Sequence, residues 1–297
     1  MTNATRFSGI KIFFYDLIFP VRRFFLKISG IGELIALQKE IRNTAACIAM
    51  SEMLKAPKYS SELHLARFGF KVHSQADEDG LIHEIFCRIG AGSRTFLEIG
   101  SSNGLESNTL YLLRQGWRGV WVDFNEKYKV EAESIFLPYI EGGALRFFCN
   151  FVTRENINEI YQSASKGGEL ALVSIDIDGN DYHIIEKISG LNARLLVIEY
   201  NPIFAPPIEW VMDYDPAYQW IIGSDKYSAS LKSYELMMGR MGYCLVGCTV
   251  NGNNAFFVRK DLVGNHFIGD GSAEFHYESE KFWLTHGYRK AYQYLVK

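Results

Sequence analysis

The residues best suited to chemistry fall in five short windows. In FLEIGSSNGLESNT (96–109), Glu98 precedes Gly100, Ser102, Asn103 and Gly104 at a strand-to-helix turn. Glycines there let the backbone turn tightly and approach a ligand closely, and the amino end of the next helix would offer free N–H groups. Asp123-Phe124 ends the following apolar run, 19 residues after Gly104. A carboxylate at that place can accept both hydroxyl protons of a ribose, or be a solvated strand-end acid. Cys149-Asn150-Phe151 ends a third run, where Asn150 could bond the edge of a base and Phe151 pack on its face, or Asn150 could serve only as a turn residue. SIDIDGNDYH (174–183) and VIEYNP (197–202) end two more. Asp176 and Asp178 are two residues apart, as are Glu199 and Asn201, so each pair points to one side of its strand. Carboxylates at the end of an apolar strand are costly without a partner. Such a cluster could orient a hydroxyl, take its proton, or hold a divalent cation such as Mg through oxygen ligands. His183 is a further candidate base, or a structural histidine at a helix start.

The elements that must position these residues alternate along the chain. Strands are expected at 95–100, 119–124, 144–149, 170–178 and 193–200, with helices at 81–90, 104–116, 125–136 and 154–164 between them. A helix at 230–242 leads to two strands, YCLVGCTV and NAFFVRKD, around the hairpin signal NGN (251–253). Strand–helix alternation predicts an α/β fold: a doubly wound, mostly parallel, seven-stranded Rossmann-like sheet with an antiparallel C-terminal hairpin. Ligands then bind at the carboxyl ends of the strands. SQADEDG (74–80) places Asp77, Glu78 and Asp79 near the start of a helix, where acids favour its positive end. Residues 201–230 hold four of the seven prolines and several aromatics, too long a stretch for a simple connection and more like a lid or binding surface.

Composition narrows the classes. Of 297 residues 48% are hydrophobic and 22% charged, with net charge −3, which argues against disorder and against a strongly basic nucleic-acid binder. Residues 1–30 nevertheless carry five basic residues and one acidic. The segment 9–29 is aromatic and basic but interrupted by charges, so it is too short of apolar run to span a bilayer. It is either an interfacial segment on an anionic membrane surface or a helical extension packed on the domain or on a second subunit. Residues 31–55 follow as a helix with Leu34, Ile35, Leu37, Ile41, Ala45, Ile48 and Leu54 at helical spacing. The five cysteines form no C-x-x-C pair and are read as buried free thiols of a reducing, cytoplasmic compartment, with attachment to the inner face of a membrane left open.

The spacing acid-x-Gly-x-x-x-Gly at Glu98, Gly100 and Gly104 departs from the dinucleotide pattern G-x-G-x-x-G and is of the type used for S-adenosylmethionine. With SQADEDG, GWRGVWVDFN, SIDIDGNDY, VIEYNP, YSASL and NAFFVRKDL, it resembles the FkbM-type branch of class I S-adenosylmethionine-dependent methyltransferases over residues 72–262. The resemblance implies methyl transfer, commonly to a hydroxyl of a sugar, a glycan or a secondary metabolite. It implies that Glu98, Gly100 and Gly104 line the amino-acid end of the cofactor, that Asp123 holds its ribose and that Asp178 sits near the methyl group. Ser102, Asn103, Phe124, Asn150 and Phe151 complete the candidate cofactor site; Asp178, Asp176, Glu199, Asn201 and His183 are the candidate catalytic residues. Ser102 stands where these methyltransferases commonly have glycine. Residues 1–71 and 263–297 are expected to be extensions of the 72–262 domain. A nicotinamide-dependent oxidoreductase on the same sheet and a non-catalytic scaffold are the rival classes.

Overall fold

The apolar runs form one sheet because their side chains alternate between two buried faces. The computed structural model describes residues 31–287 apart from Ile222, so the expectations for the 9–29 segment lie outside the described residues. The chain runs α1 (Ile31–Met53), α2 (Glu78–Ile89), β1 (Thr95–Ile99), α3 (Leu110–Arg114), β2 (Arg118–Asp123), α4 (Glu126–Ile135), α5 (Leu137–Glu141), β3 (Leu145–Cys149), α6 (Ile157–Ser165), β4 (Leu170–Ile175), α7 (Asp181–Lys187), β5 (Ala193–Glu199), α8 (Leu231–Arg240), β6 (Tyr243–Cys248) and β7 (Asn254–Arg259). The strands form a seven-stranded sheet in the order β3-β2-β1-β4-β5-β7-β6. β1 to β5 are parallel and β7 is antiparallel to both neighbours. The expected hairpin is therefore present, but its second strand is inserted between β5 and β6 rather than added outside them.

Phe96, Leu172, Leu195 and Val197 pack with α2, α3 and α4 on one face, while Leu97, Val173, Leu196 and Ile198 pack with α6, α7 and α8 on the other. Neighbouring residues of one strand thus serve opposite layers, which is the doubly wound Rossmann-like arrangement. The order of strands reverses between β1 and β4, so the crevice between their carboxyl ends is the switch point where ligands bind in such sheets.

Two expectations change, for the helix after β1 and for the cysteines. The helix read over 104–116 is only Leu110–Arg114, and residues 100–109 form a long turn instead. Asp77, Glu78 and Asp79 stand at the start of α2 as expected, and are 1%, 0% and 1% exposed. Asp79 Oδ2 accepts the N–H groups of Val72, His73 and Ser74 at 2.7, 2.6 and 3.0 Å, so it shapes the approach to α2. Of the cysteines only Cys248 is buried; Cys47 and Cys87 are exposed, and Cys149 and Cys244 lie between. α1 packs through Ala46, Ala49, Met50 and Met53, leaving Leu34, Leu37, Ile41 and Ile48 exposed. No helix of the described residues is long and apolar enough to cross a membrane.

Burial raises the acids of this framework: Asp77 to about 8, Glu98 to about 7, Asp79 and Asp181 to about 6. Each holds a proton in the fold at a pH where the unfolded chain has released it, so each costs stability as pH rises from the ordinary carboxylate range through the folded value. His64 and His73, lowered to about 4 by burial, act in the opposite sense, but only below their ordinary value of 6.5. From pH 6.5 to 8 the carboxylates dominate. The melting temperature is expected to fall over that interval, the loss approaching about 1.4 kcal/mol per pH unit for each titrating group. Thermal melts at matched ionic strength check this, and a rise would contradict it.

Candidate active site at the switch point

Gly100 closes β1 at φ +86°, and a Cβ there would stand 1.6 Å from the carbonyl oxygen of Asp176. The ends of β1 and β4 are thus pressed together, and only glycine allows it. Ser102 takes the left-handed region at φ 50° where glycine was the expectation, and its N–H donates to Asp123 Oδ2 at 2.9 Å. The loop thus keeps the left-handed turn that glycine would allow, held by the Asp123 carboxylate. Gly104 does not face a ligand: its Cβ position is filled by the ring of buried Trp121, 2.3 Å away. Trp121 Nε1 in turn donates to Thr109 Oγ1 at 2.7 Å.

Glu98 is consumed by its own fold. Oε1 accepts the Asn108 N–H at 2.7 Å, and Oε2 accepts the Thr109 N–H at 3.1 Å and its hydroxyl at 2.5 Å. The N–H groups expected to be free ahead of α3 are therefore taken. Asn103 bonds Glu131 Oε2 through Nδ2 and accepts the Leu105 N–H through Oδ1.

Two adjoining cavities occupy the crevice, each of about 310 Å³. The first is lined by Glu98, Gly100, Ser101, Ser102, Asn103 and Asn108, with Asp176 at its edge. Ser101 Oγ there is buried and unpartnered. The second is lined by Asp123, Phe124, Asn150, Phe151, Asp176 and Asp178. Asp123 Oδ1 accepts the Asn125 N–H at 2.9 Å, and each of its oxygens keeps a second lone pair. Burial raises this carboxyl above its ordinary value. The Phe124 and Phe151 rings meet edge to face at 5.8 Å, with Asn150 exposed beside them.

Beyond them, carboxylate oxygens of Asp176, Asp178 and Glu199 all lie within 4.8 Å of one another, among the described residues the one such group that could share a metal ion. Burial and mutual repulsion raise Asp176 and Glu199 well above the ordinary carboxylate range, and burial raises Asp178. Asp178, exposed and at φ 54°, stands on the turn after β4 and lines both the Asp123 cavity and a third one next to it.

His183 and Asn201 are not brought to these cavities. His183 Nδ1 lies 2.6 Å from Arg154 Nη2 and Nε2 lies 2.6 Å from the Met212 carbonyl, so Nδ1 accepts from the guanidinium and Nε2 donates to the carbonyl. Asn201, fully buried, donates to the carbonyls of Asp225 and Tyr227 at 2.8 and 3.1 Å. Asn180 pairs with the backbone of Asp215 in both directions. All three pin the 201–230 segment, which lays Tyr218 and Trp220 against the second cavity and so acts as a cover.

Several lining residues carried no chemical signal in the sequence. Gln75 and Glu78, from the segment read only as a helix start, line the first cavity with Asn253 and Asn254 from the hairpin turn. Glu78 Oε1 accepts from Asn254 Nδ2 at 3.0 Å, tying the two distant segments together. A polar SQ-x-x-E pattern and an Asn-rich turn at the end of the sheet were the available signals.

No protein-family model and no curated protein matches this sequence. Solved structures do. The cofactor-bound Rv0187 from MTB is 17% identical, with TM-score 0.42, over 73% of this chain and 89% of that one. The O-methyltransferase TomG from Streptomyces achromogenes, in complex with SAM, is 13% identical, with TM-score 0.39, over 73% of this chain and 87% of that one. An O-methyltransferase family protein from Burkholderia thailandensis is 13% identical, with TM-score 0.37, over 62% of this chain and 58% of that one.

Proposed function

We propose that this chain is an S-adenosylmethionine-dependent methyltransferase acting on a hydroxyl oxygen, in a sugar, a glycan or a secondary metabolite. The observation that carries this is the electrostatics of the switch point. Both cavities are lined by carboxylates and neutral polar groups, and none of the described residues lining them is Lys or Arg. The N–H groups ahead of α3 are occupied by Glu98. A dinucleotide's pyrophosphate would find neither cations nor free helix N–H groups, whereas a sulfonium cation is favoured by the same surroundings.

The residues fit the cofactor. Asp123 can take both ribose hydroxyls, and Phe124, Phe151 and Asn150 flank the place of the base. The unpartnered Ser101 hydroxyl and the Glu78 carboxylate face the cavity that suits an amino-acid end. When bound, S-adenosylmethionine supplies an electrophilic methyl group on sulfur. Asp178, at the junction of two cavities, would hold the acceptor hydroxyl and take its proton as the oxygen attacks, its raised carboxyl bringing it closer to neutral pH. Asp176 and Glu199 place oxygens within 4.8 Å of that carboxylate, and the cover excludes water.

Thermal shift tests the reading. S-adenosylhomocysteine at about a hundredfold excess over its Kd is expected to stabilise the protein by about 2.7 kcal/mol, while NAD leaves it unchanged. Asp123→Ala is expected to weaken S-adenosylhomocysteine binding by about tenfold or more, since hydrogen bonds to a charged group are worth about 1.5–3 kcal/mol. Stabilisation by NAD alone, or an unaffected variant, would contradict the assignment.

A further inference from the structure

The third cavity, of about 430 Å³, shares Asp178 and Trp220 with the second. Its titratable lining is acidic, Asp178, Glu199, Asp225 and Glu280, with no Lys or Arg among the described residues that line it. Two buried oxygens line its wall, Asn251 Oδ1, which has no partner, and Glu199 Oε2, whose raised carboxyl is hydrogen-bonded to Asp176, on residues that are 2% and 6% exposed. They belong to different elements, the β6–β7 turn and β5. A buried acceptor left unpaired is costly, so this wall favours a ligand that donates. Tyr227 lies on the same wall, and burial, reinforced by the neighbouring acids Glu199 and Glu280, keeps its hydroxyl protonated. Trp220 and Phe282 add aromatic faces, which attract cations and C–H groups alike. The volume is in the range of organic-ligand sites and far exceeds that of one ion.

From this lining we propose that the cavity takes a cationic acceptor, a hydroxylated amine of sugar size, and turns away phosphorylated or carboxylated ones. The ammonium is drawn to Asp225 and Glu280, exposed at the mouth, and the hydroxyls to Glu199, Asn251 and Asp178. The role as methyl acceptor rests on the methyltransferase assignment; the charge preference belongs to the cavity alone.

Calorimetry at pH 6.5, on the full chain with and without S-adenosylhomocysteine, compares glucosamine, glucose and glucose 6-phosphate as probes. Glucosamine is expected to bind roughly tenfold more tightly than glucose, and glucose 6-phosphate most weakly. The double variant Asp225→Asn, Glu280→Gln, at two exposed positions, is expected to bring glucosamine to parity with glucose. Equal affinities in the native chain, a preference for the phosphate, no glucosamine binding at millimolar concentration, or a preference that survives the double variant would each overturn the proposal. So would Mg²⁺ alone binding the Asp176–Asp178–Glu199 group and erasing the preference, because the cluster would then be a metal site. An amine preference without S-adenosylhomocysteine binding would remove the methyltransferase assignment and leave this proposal standing; the reverse result would do the opposite.

Discussion

Asp178→Asn is expected to lower turnover by about two to four orders of magnitude while leaving S-adenosylhomocysteine affinity nearly unchanged, the usual scale for removing a general base. Asp178 lines both the cavity assigned to the nucleoside and the cavity assigned to the acceptor. A reacting hydroxyl and a transferable methyl must meet where those two spaces join. Its backbone sits at φ 54°, a conformation asparagine tolerates better than alanine. The amide therefore keeps the turn and the hydrogen-bonding shape but cannot accept a proton. Burial raises the Asp178 carboxyl, so native kcat/KM is expected to climb through a pH above the ordinary carboxylate range, and the variant to lose that limb. A variant with native turnover, or one that loses cofactor affinity in parallel, would remove Asp178 from the chemistry.

Gly100→Ala is expected to be the most damaging glycine-to-alanine change among the described residues. Two costs add at this position. A left-handed backbone costs a non-glycine residue about 1–2 kcal/mol, and overpacking adds about 1–3 kcal/mol or more. The second term is severe here because the new Cβ would meet a backbone carbonyl, the Asp176 oxygen, and not a mobile side chain. Relief requires β1 and β4 to part, which opens the crevice itself, so S-adenosylhomocysteine binding should fall together with stability. Gly116→Ala provides the control: its φ is +83° but nothing lies within 4 Å of the added Cβ, leaving only the backbone cost. Urea unfolding of the two variants should separate them by about 1–3 kcal/mol. Equal losses would mean the two strand ends can relax apart without penalty.

These effects explain which features could be read along the chain. Strands were legible because a run such as LALVSI is apolar at every position, as a strand covered by helices on both faces must be. Gly100, Asp123, Asp176, Asp178 and Glu199 were legible because glycine and carboxylates ending apolar strands are costly unless the fold uses them. The helix after β1 was misjudged because GLESNTLYLLRQG has helical spacing, while the Glu98 carboxylate, ten residues before Asn108, captures the N–H groups that would have begun it. His183 and Asn201 looked equivalent to the reacting acids in spacing; their partners, Met212 and Asp225, lie in the cover, and that is a matter of contact, not of pattern.

By itself the sequence determined the doubly wound sheet, the place of the crevice and the acids at its rim, since periodicity, glycine stereochemistry and the cost of burying charge act locally. Tertiary structure alone decided which polar groups converge. It inserted β7 beside β5 and so carried Asn251, Asn253 and Asn254 to the site. It joined Glu78 to Asn254 across 176 residues, filled the Gly104 notch with Trp121 rather than a ligand, and turned His183 toward the cover. Side-chain convergence depends on strand order and packing, and residues far apart in the chain carry no mark of the neighbour they will meet.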